Sequence, residues 1–131
     1  MKRDLDSIIL TRQELEIMKV VWDRGVVKVG DVWEVISQKK ATAYTTVLTL
    51  MGILEEKGVL CHARAGRAYV YKPLLTRRQA TRNQIQDLIA RFFDGRPEKL
   101  IENLLECELS QPKQLETALK LIKTKCAQQV A

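Results

Sequence analysis

Residues 42–73, TAYTTVLTLMGILEEKGVLCHARAGRAYVYKP, decide the fold. In the first half of this stretch, apolar residues recur every three or four positions, which predicts a helix over residues 42–57. Gly58 suits the left-handed position that follows a helix. At 100° per residue, one face of this helix carries the apolar residues Tyr44, Val47, Met51 and Leu54. We expect this face to be buried and the opposite face, which carries threonines, to be exposed.

The second half of the stretch predicts a β-hairpin. Two strand-like segments, residues 59–64 and 67–71, flank the turn dipeptide Ala65-Gly66. Because two short strands alone are marginally stable in water, the hairpin must lie against helices.

Two further helices precede this stretch. Thr11 and Glu14 form a capping-box pattern, which predicts a helix beginning at Thr11. Residues 29–37 form a second, shorter apolar pattern. Three helices followed by a hairpin make a winged helix-turn-helix, which we place at residues 1–73.

The remaining residues, 74–131, are predicted to form three amphipathic helices. A capping-box pattern at Thr76, then Pro97, then Ser110 with Pro112 mark the three starts. Such a short helical unit is hard to stabilise alone, and a second copy of the chain would bury its apolar stripes. We therefore expect a mainly α protein with a small β-hairpin, in which residues 74–131 are a helical dimerisation domain. The apolar residues expected at the homodimer interface are Ile85, Leu88, Ile89, Phe92, Leu100, Leu104, Leu115, Leu119 and Ile122.

The distribution of charge favours a polyanionic partner. The formal net charge is +6, and Asp and Glu are absent from residues 35–54 and again from residues 57–86. Clustered cations without acids suit phosphate-backbone binding, because each neutralised phosphate releases condensed counterions. The alternative is a solvated basic face.

A winged helix suggests which side chains would meet double-stranded DNA. In a helix-turn-helix the second helix lies in the major groove, and short threonines offer a hydroxyl and a methyl group to base edges. Lysines before that helix and arginines at the hairpin tip suit phosphates or the minor groove. The residues expected to contact DNA are Lys39, Lys40, Thr42, Thr45, Thr46, Thr49, Arg64 and Arg67. A winged-helix module that binds protein instead of DNA remains the alternative, since fold does not dictate function.

Catalysis, metal binding and cofactors are not expected. The only histidine is His62, and no Cys/His, Ser/His or clustered carboxylate pattern nominates a catalytic pair or a small-molecule substrate site. Without a C-x-x-C pair, a closed zinc site is hard to assemble.

The cysteines and the hydropathy favour a cytoplasmic location. Three widely spaced cysteines, Cys61, Cys107 and Cys126, fit buried free thiols in a reducing compartment. No apolar run approaches the roughly 18 residues that span a bilayer, and Met1-Lys2-Arg3-Asp4 leads into no segment like a signal peptide.

Several segments, in this order and spacing, carry a resemblance to a known family: Leu10-Thr11 with Glu14, Met18-Lys19, Val21-Trp22, Ala43-Tyr44-Thr45-Thr46-Val47-Leu48-Thr49, Lys57-Gly58, and Gly66-Arg67-Ala68-Tyr69-Val70-Tyr71-Lys72-Pro73. They resemble the penicillinase repressor family, the BlaI/MecI group, over roughly residues 8 to 125. The resemblance implies a homodimer that represses promoters at palindromic, inverted-repeat operators, often of β-lactam-resistance or protease genes. It also implies release from DNA when a membrane metalloprotease sensor triggers cleavage of the C-terminal arm.

This chain departs from the patterns of the family and its branches in three respects. The position that matches the family's Asn-Phe cleavage bond is Asn103-Leu104. Family members often carry a basic residue at the positions of Gly52 or Ile53, which this chain lacks. Cys107 and Cys126 do not reproduce the cysteine-rich motif of the copper-responsive branch.

Overall fold

The computed structural model describes residues 5–107 and 111–130. These residues form six helices and two strands, in the order α1 (Arg12–Arg24), α2 (Val29–Lys39), α3 (Tyr44–Glu56), β1 (Leu60–Ala65), β2 (Ala68–Pro73), α4 (Arg77–Phe92), α5 (Pro97–Glu106) and α6 (Pro112–Val130). The chain divides into two compact units between Asp87 and Leu88, inside α4. The functional boundary expected after residue 73 stays a prediction.

The first helix begins where its sequence predicts. The Glu14 amide donates to Thr11 Oγ1 at 3.2 Å, and the Thr11 amide donates to Glu14 Oε1 at 2.8 Å, which completes the capping box. Glu14 is also buried, and its carboxylate accepts a hydrogen bond from Lys57, the residue that follows α3.

The core of the first unit lies between α1, α2, α3 and the hairpin. Its most deeply buried side chains in these three helices are Ile17, Met18, Val21, Val32, Val47, Met51 and Leu54. Three of the four apolar residues predicted on the inner face of α3 are therefore confirmed. Tyr44 is the exception: it is 46% exposed and packs edge-on against Trp33.

The predicted hairpin is confirmed, with strand limits shifted by one or two residues. β1 and β2 pair antiparallel, with Arg64 opposite Tyr69. Gly66 forms the turn at a φ of 66°, in the left-handed region that favours glycine. Tyr71 anchors the base of the hairpin, since it exchanges backbone hydrogen bonds of 2.7 and 3.0 Å with Val27 in the segment between α1 and α2.

The second unit contains the end of α4 with α5 and α6. α5 begins at Pro97, as predicted, and α6 begins at Pro112, whereas Ser110 lies outside the described residues. Cys107 and Cys126 are exposed, and Cys61 in the first unit is half-buried, so the prediction of buried thiols is wrong. Like Cys107 and Cys126, several apolar side chains of α5 and α6 are exposed within the described residues.

Candidate nucleic-acid interface

The loop between α2 and α3 is held in a defined conformation by two hydrogen bonds. The Trp33 indole N–H donates to the Thr42 carbonyl at 2.7 Å, and the Thr42 hydroxyl donates to the Lys40 carbonyl at 2.8 Å. α3 therefore begins at Tyr44. The start at Thr42 that the sequence pattern predicts is wrong. Thr42 is half-buried and its hydroxyl proton is engaged locally, so it fixes the backbone at the exposed Lys40, while the exposed Lys39 is the last residue of α2.

The first turn of α3 is open to an anion. Its N-cap is Ala43, which has no side chain that can accept from the first amides, and its first turn carries no acid. Amides at a helix N-terminus carry a partial positive charge and bind phosphate readily. Lys39 and Lys40 add two cations beside this end of the helix.

The outward face of α3 is small and weakly polar. Thr45, Thr46 and Thr49 are exposed, and a Cβ placed on Gly52 would meet no described atom within 4 Å. Packing within this chain therefore does not demand glycine at position 52. Leu48, which was not among the predicted contact residues, is 44% exposed beside these threonines and adds an apolar surface of the kind that contacts thymine methyl groups. The helical period alone could have identified it.

Four of the predicted contact residues line one groove. It has a volume of about 770 Å³ and lies between α1, the end of α2 and the start of α3. The predicted residues in its wall are Lys39, Lys40, Thr42 and Thr46. Thr45 and Thr49 do not line this groove, although both are exposed on α3.

The last two predicted contacts lie on the hairpin. Arg64 is exposed on β1, with its guanidinium carbon 6.0 Å from the centre of the Tyr69 ring. Arg67 follows Gly66 in the turn and is also exposed. The hairpin thus presents two cations near its tip.

One contact between α3 and the hairpin was not predicted from the sequence. Glu55 Oε1 accepts hydrogen bonds from the backbone amide of His62, at 3.2 Å, and from His62 Nδ1. Burial, and after it the negative charge of Glu55, raises the pKa of the neighbouring Tyr71. Neither Glu55 nor His62 belongs to a periodic pattern, so the sequence carries no signal for the contact between them.

The residues predicted for dimerisation and cleavage are exposed or half-buried. The predicted interface residues that are exposed are Ile85, Phe92, Leu104, Leu115, Leu119 and Ile122, whereas Leu88, Ile89 and Leu100 are half-buried. Asn103 and Leu104 lie inside α5, where the Asn103 side-chain amide donates to the Lys99 carbonyl at 2.8 Å.

The described residues contain neither a metal-binding cluster nor a membrane-spanning helix. Within residues 5–107 and 111–130, no cluster of three or more His, Cys, Asp or Glu side chains is arranged to hold a metal ion. In the same ranges, no helix has both the length and the apolar character needed to cross a membrane.

The first unit combines three helices with a hairpin. Lysines precede the third helix, and the hairpin carries two arginines. These features define a winged-helix transcription regulator. Comparison with known proteins narrows this class. The penicillinase repressor family model matches residues 10–124, and the chain belongs to that family. The resemblance found in the sequence is thereby confirmed, as is the fold class.

Three similar proteins show the extent of the likeness. The penicillinase repressor of Bacillus licheniformis is 29% identical over 93 residues, which cover 71% of this chain and 73% of that protein. An uncharacterised 16.5 kDa protein from the ptsI 3' region of Latilactobacillus sakei is 32% identical over 79 residues, covering 60% of this chain and 54% of that one. The solution structure of the DNA-binding domain of the repressor BlaI is 28% identical, with a TM-score of 0.51, and covers 60% of this chain and 93% of that domain.

Proposed function

We propose that this chain is a homodimeric repressor that binds inverted-repeat operators through α3 and the hairpin. The observation that carries the proposal is the approach to α3, where two exposed lysines, Lys39 at the end of α2 and Lys40 in the hydrogen-bonded loop, lie beside a helix N-terminus without a side-chain cap. The similar BlaI domain is described as the DNA-binding domain of a repressor, which supports the same role here.

The reading mode follows from the outward face of α3. Thr45, Thr46 and Thr49 present hydroxyl and methyl groups, and their small size lets the helix lie deep in a major groove. Lys39, Lys40, Arg64 and Arg67 contact phosphates and so set affinity more than sequence choice.

The exposed apolar residues of the second unit support the homodimer. Phe92 is 69% exposed, and Leu119 on α6 is 52% exposed. Apolar side chains exposed along amphipathic helices mark an interaction surface, and an identical chain supplies a matching one. Two copies of α3 would then meet two half-sites one helical turn, or a multiple of it, apart.

Release by proteolysis of the C-terminal arm completes the proposal, with a membrane metalloprotease sensor as the trigger and β-lactam-resistance or protease genes as targets. The Asn103-Leu104 bond lies within α5, whose side chains are largely exposed. Because proteases cut extended chain, cleavage there needs α5 to open locally, and a helix with few buried contacts opens easily.

The decisive experiment titrates the purified protein onto the DNA upstream of its own gene. Fluorescence anisotropy measures the affinity at several salt concentrations, and sedimentation measures the oligomeric state. Four cations per protomer give eight in a dimer, so the slope of log K against log salt should be about −7. A monomer at micromolar concentration that ignores this DNA, or an affinity that stays flat across salt, would overturn the proposal.

A further inference from the structure

Glu55 lies in the last turn of α3, the helix proposed to enter the DNA groove. Its side chain accepts hydrogen bonds from His62, the third residue of β1. A single carboxylate oxygen, Oε1, accepts from both the backbone amide and the ring of His62. The two side chains are 33% and 41% exposed, so the pair lies at the surface and not in the core.

The His62 ring also contacts the second strand of the hairpin. It packs edge-on against Tyr69 with ring centres 5.0 Å apart, and it lies 5.7 Å from the ring of Tyr71. Tyr69 is the cross-strand partner of Arg64, whose guanidinium lies over its ring. Glu55, His62, Tyr69 and Arg64 thus form an unbroken series of contacts from α3 to a cation of the hairpin.

A two-stranded ribbon twists easily, so its outer half needs such a restraint. The base of the hairpin is anchored by the Val27–Tyr71 pair. Beyond that pair, the side chains of Tyr69 and Arg64 are exposed, and the core does not fix their orientation.

We propose that Glu55 is a positioning residue for operator binding, which holds Arg64 in its DNA-competent orientation through His62 and Tyr69. This inference rests on the proposed function. It runs against simple electrostatics, because a carboxylate on a DNA-binding helix repels phosphate. The sign of its effect on affinity is therefore diagnostic.

The adjacent Glu56 provides a matched control. It is exposed on the same helix, and Glu56→Ala removes the same charge while leaving the Glu55–His62 contact in place. Glu56→Ala should leave affinity for the upstream duplex unchanged or raise it. Glu55→Ala should lower it about 5- to 10-fold for each protomer, and so about 25- to 100-fold for a dimer, as expected if only 10–20% of hairpins keep the binding-competent orientation. Glu55→Gln keeps an acceptor oxygen at the same reach and should restore most of the affinity.

A double-mutant cycle separates positioning from general destabilisation. Arg64→Ala should cost much less affinity in the Glu55→Ala background than in the wild type, because Arg64 is already misplaced there. Backbone amide order parameters at Ala65, Gly66 and Arg67 should fall in Glu55→Ala and not in Glu56→Ala.

The outcomes distinguish this inference from the proposed function. If the wild type binds the duplex but Glu55→Ala and Glu56→Ala change affinity alike, the positioning role is overturned while DNA binding stands. An equal cost of Arg64→Ala in both backgrounds has the same meaning. If the wild type itself does not bind, the proposed function fails, and the positioning role fails with it.

Discussion

Lys57 Nζ lies 2.8 Å from each carboxylate oxygen of Glu14, and this ion pair joins the first turn of α1 to the residue that follows α3. The Glu14 side chain is 3% exposed and that of Lys57 is 27% exposed. Burial on its own raises the pKa of Glu14, but the hydrogen bond from Lys57, the Thr11 amide and the charge of Lys57 together hold that pKa below 4.5. The same glutamate therefore caps one helix and fixes the end of another.

Removing either partner should destabilise the fold, but unequally. Lys57→Met leaves a buried carboxylate without its cation, which should cost about 3 kcal/mol in the free energy of unfolding. Glu14→Gln should cost less, because the amide oxygen still accepts from Thr11 and Lys57 and no charge stays buried. Urea denaturation measures both values. Lys19→Met, which breaks the exposed pair with Glu16, should cost under about 0.5 kcal/mol. Equal losses for Lys57→Met and Lys19→Met would show that the buried pair has no special role.

The Glu14 pair also predicts acid sensitivity. Its folded-state pKa is below the ordinary value of 4.5, so its stabilisation is fully present above that value and is lost as the pH falls through the folded pKa. The stability advantage of the wild type over Glu14→Gln should therefore shrink as pH falls from 7 to 3. Denaturation at intermediate pH values measures this difference. A constant difference would mean that Glu14 does not titrate differently in the two states.

The exposed threonines should determine sequence choice. Thr49→Val keeps the shape of the side chain and removes the hydroxyl, so discrimination between the operator and single-base variants should fall by about 1 kcal/mol at one position. Competition binding against a set of operator variants measures this. Arg67→Ala is the contrasting variant, because it should weaken binding to all sequences alike and reduce the salt slope by about 2 per dimer. A uniform loss for Thr49→Val would assign that residue to the phosphate backbone instead.

The apolar stripe of α6 should hold the dimer together. Leu119 belongs to the stripe with Leu115 and Ile122, so Leu119→Glu would place an unpaired charge at the interface and weaken dimerisation on the order of 100-fold. Leu121→Glu is the matched control, since Leu121 lies off this stripe and is 67% exposed. Sedimentation velocity distinguishes a monomeric Leu119→Glu from a dimeric Leu121→Glu. If both variants stay dimeric, α6 does not form the interface.

Local rules predicted much of the first unit from its sequence. The capping box at Thr11, the end of α3 before Gly58 and the turn at Gly66 depend on residues a few positions apart, and all are present. Rules of this kind act through the backbone of a single segment. They do not depend on what the segment packs against.

The remaining features depend on tertiary contacts between residues that no local rule connects. Glu14 contacts Lys57, which is 43 positions away in the sequence. Trp33 donates a hydrogen bond to the Thr42 carbonyl, and the expected start of α3 is a loop. Trp33 also packs against Tyr44, which is exposed and not in the core as expected. Helical periodicity places a residue on a face, but it does not tell whether a neighbouring ring covers that face. The DNA contacts and the dimer interface stay predictions, because both concern partners outside a single chain.

Trp33 gives the chain an intrinsic optical reporter. Its indole N–H donates to Thr42 in the loop that follows Lys39 and contains Lys40, whereas that of Trp22, the other tryptophan, donates to the Leu75 carbonyl before α4. A Trp22→Phe protein would therefore emit from Trp33 alone. Any ligand that rearranges the loop before α3 would change the wavelength or intensity of that emission without an added label.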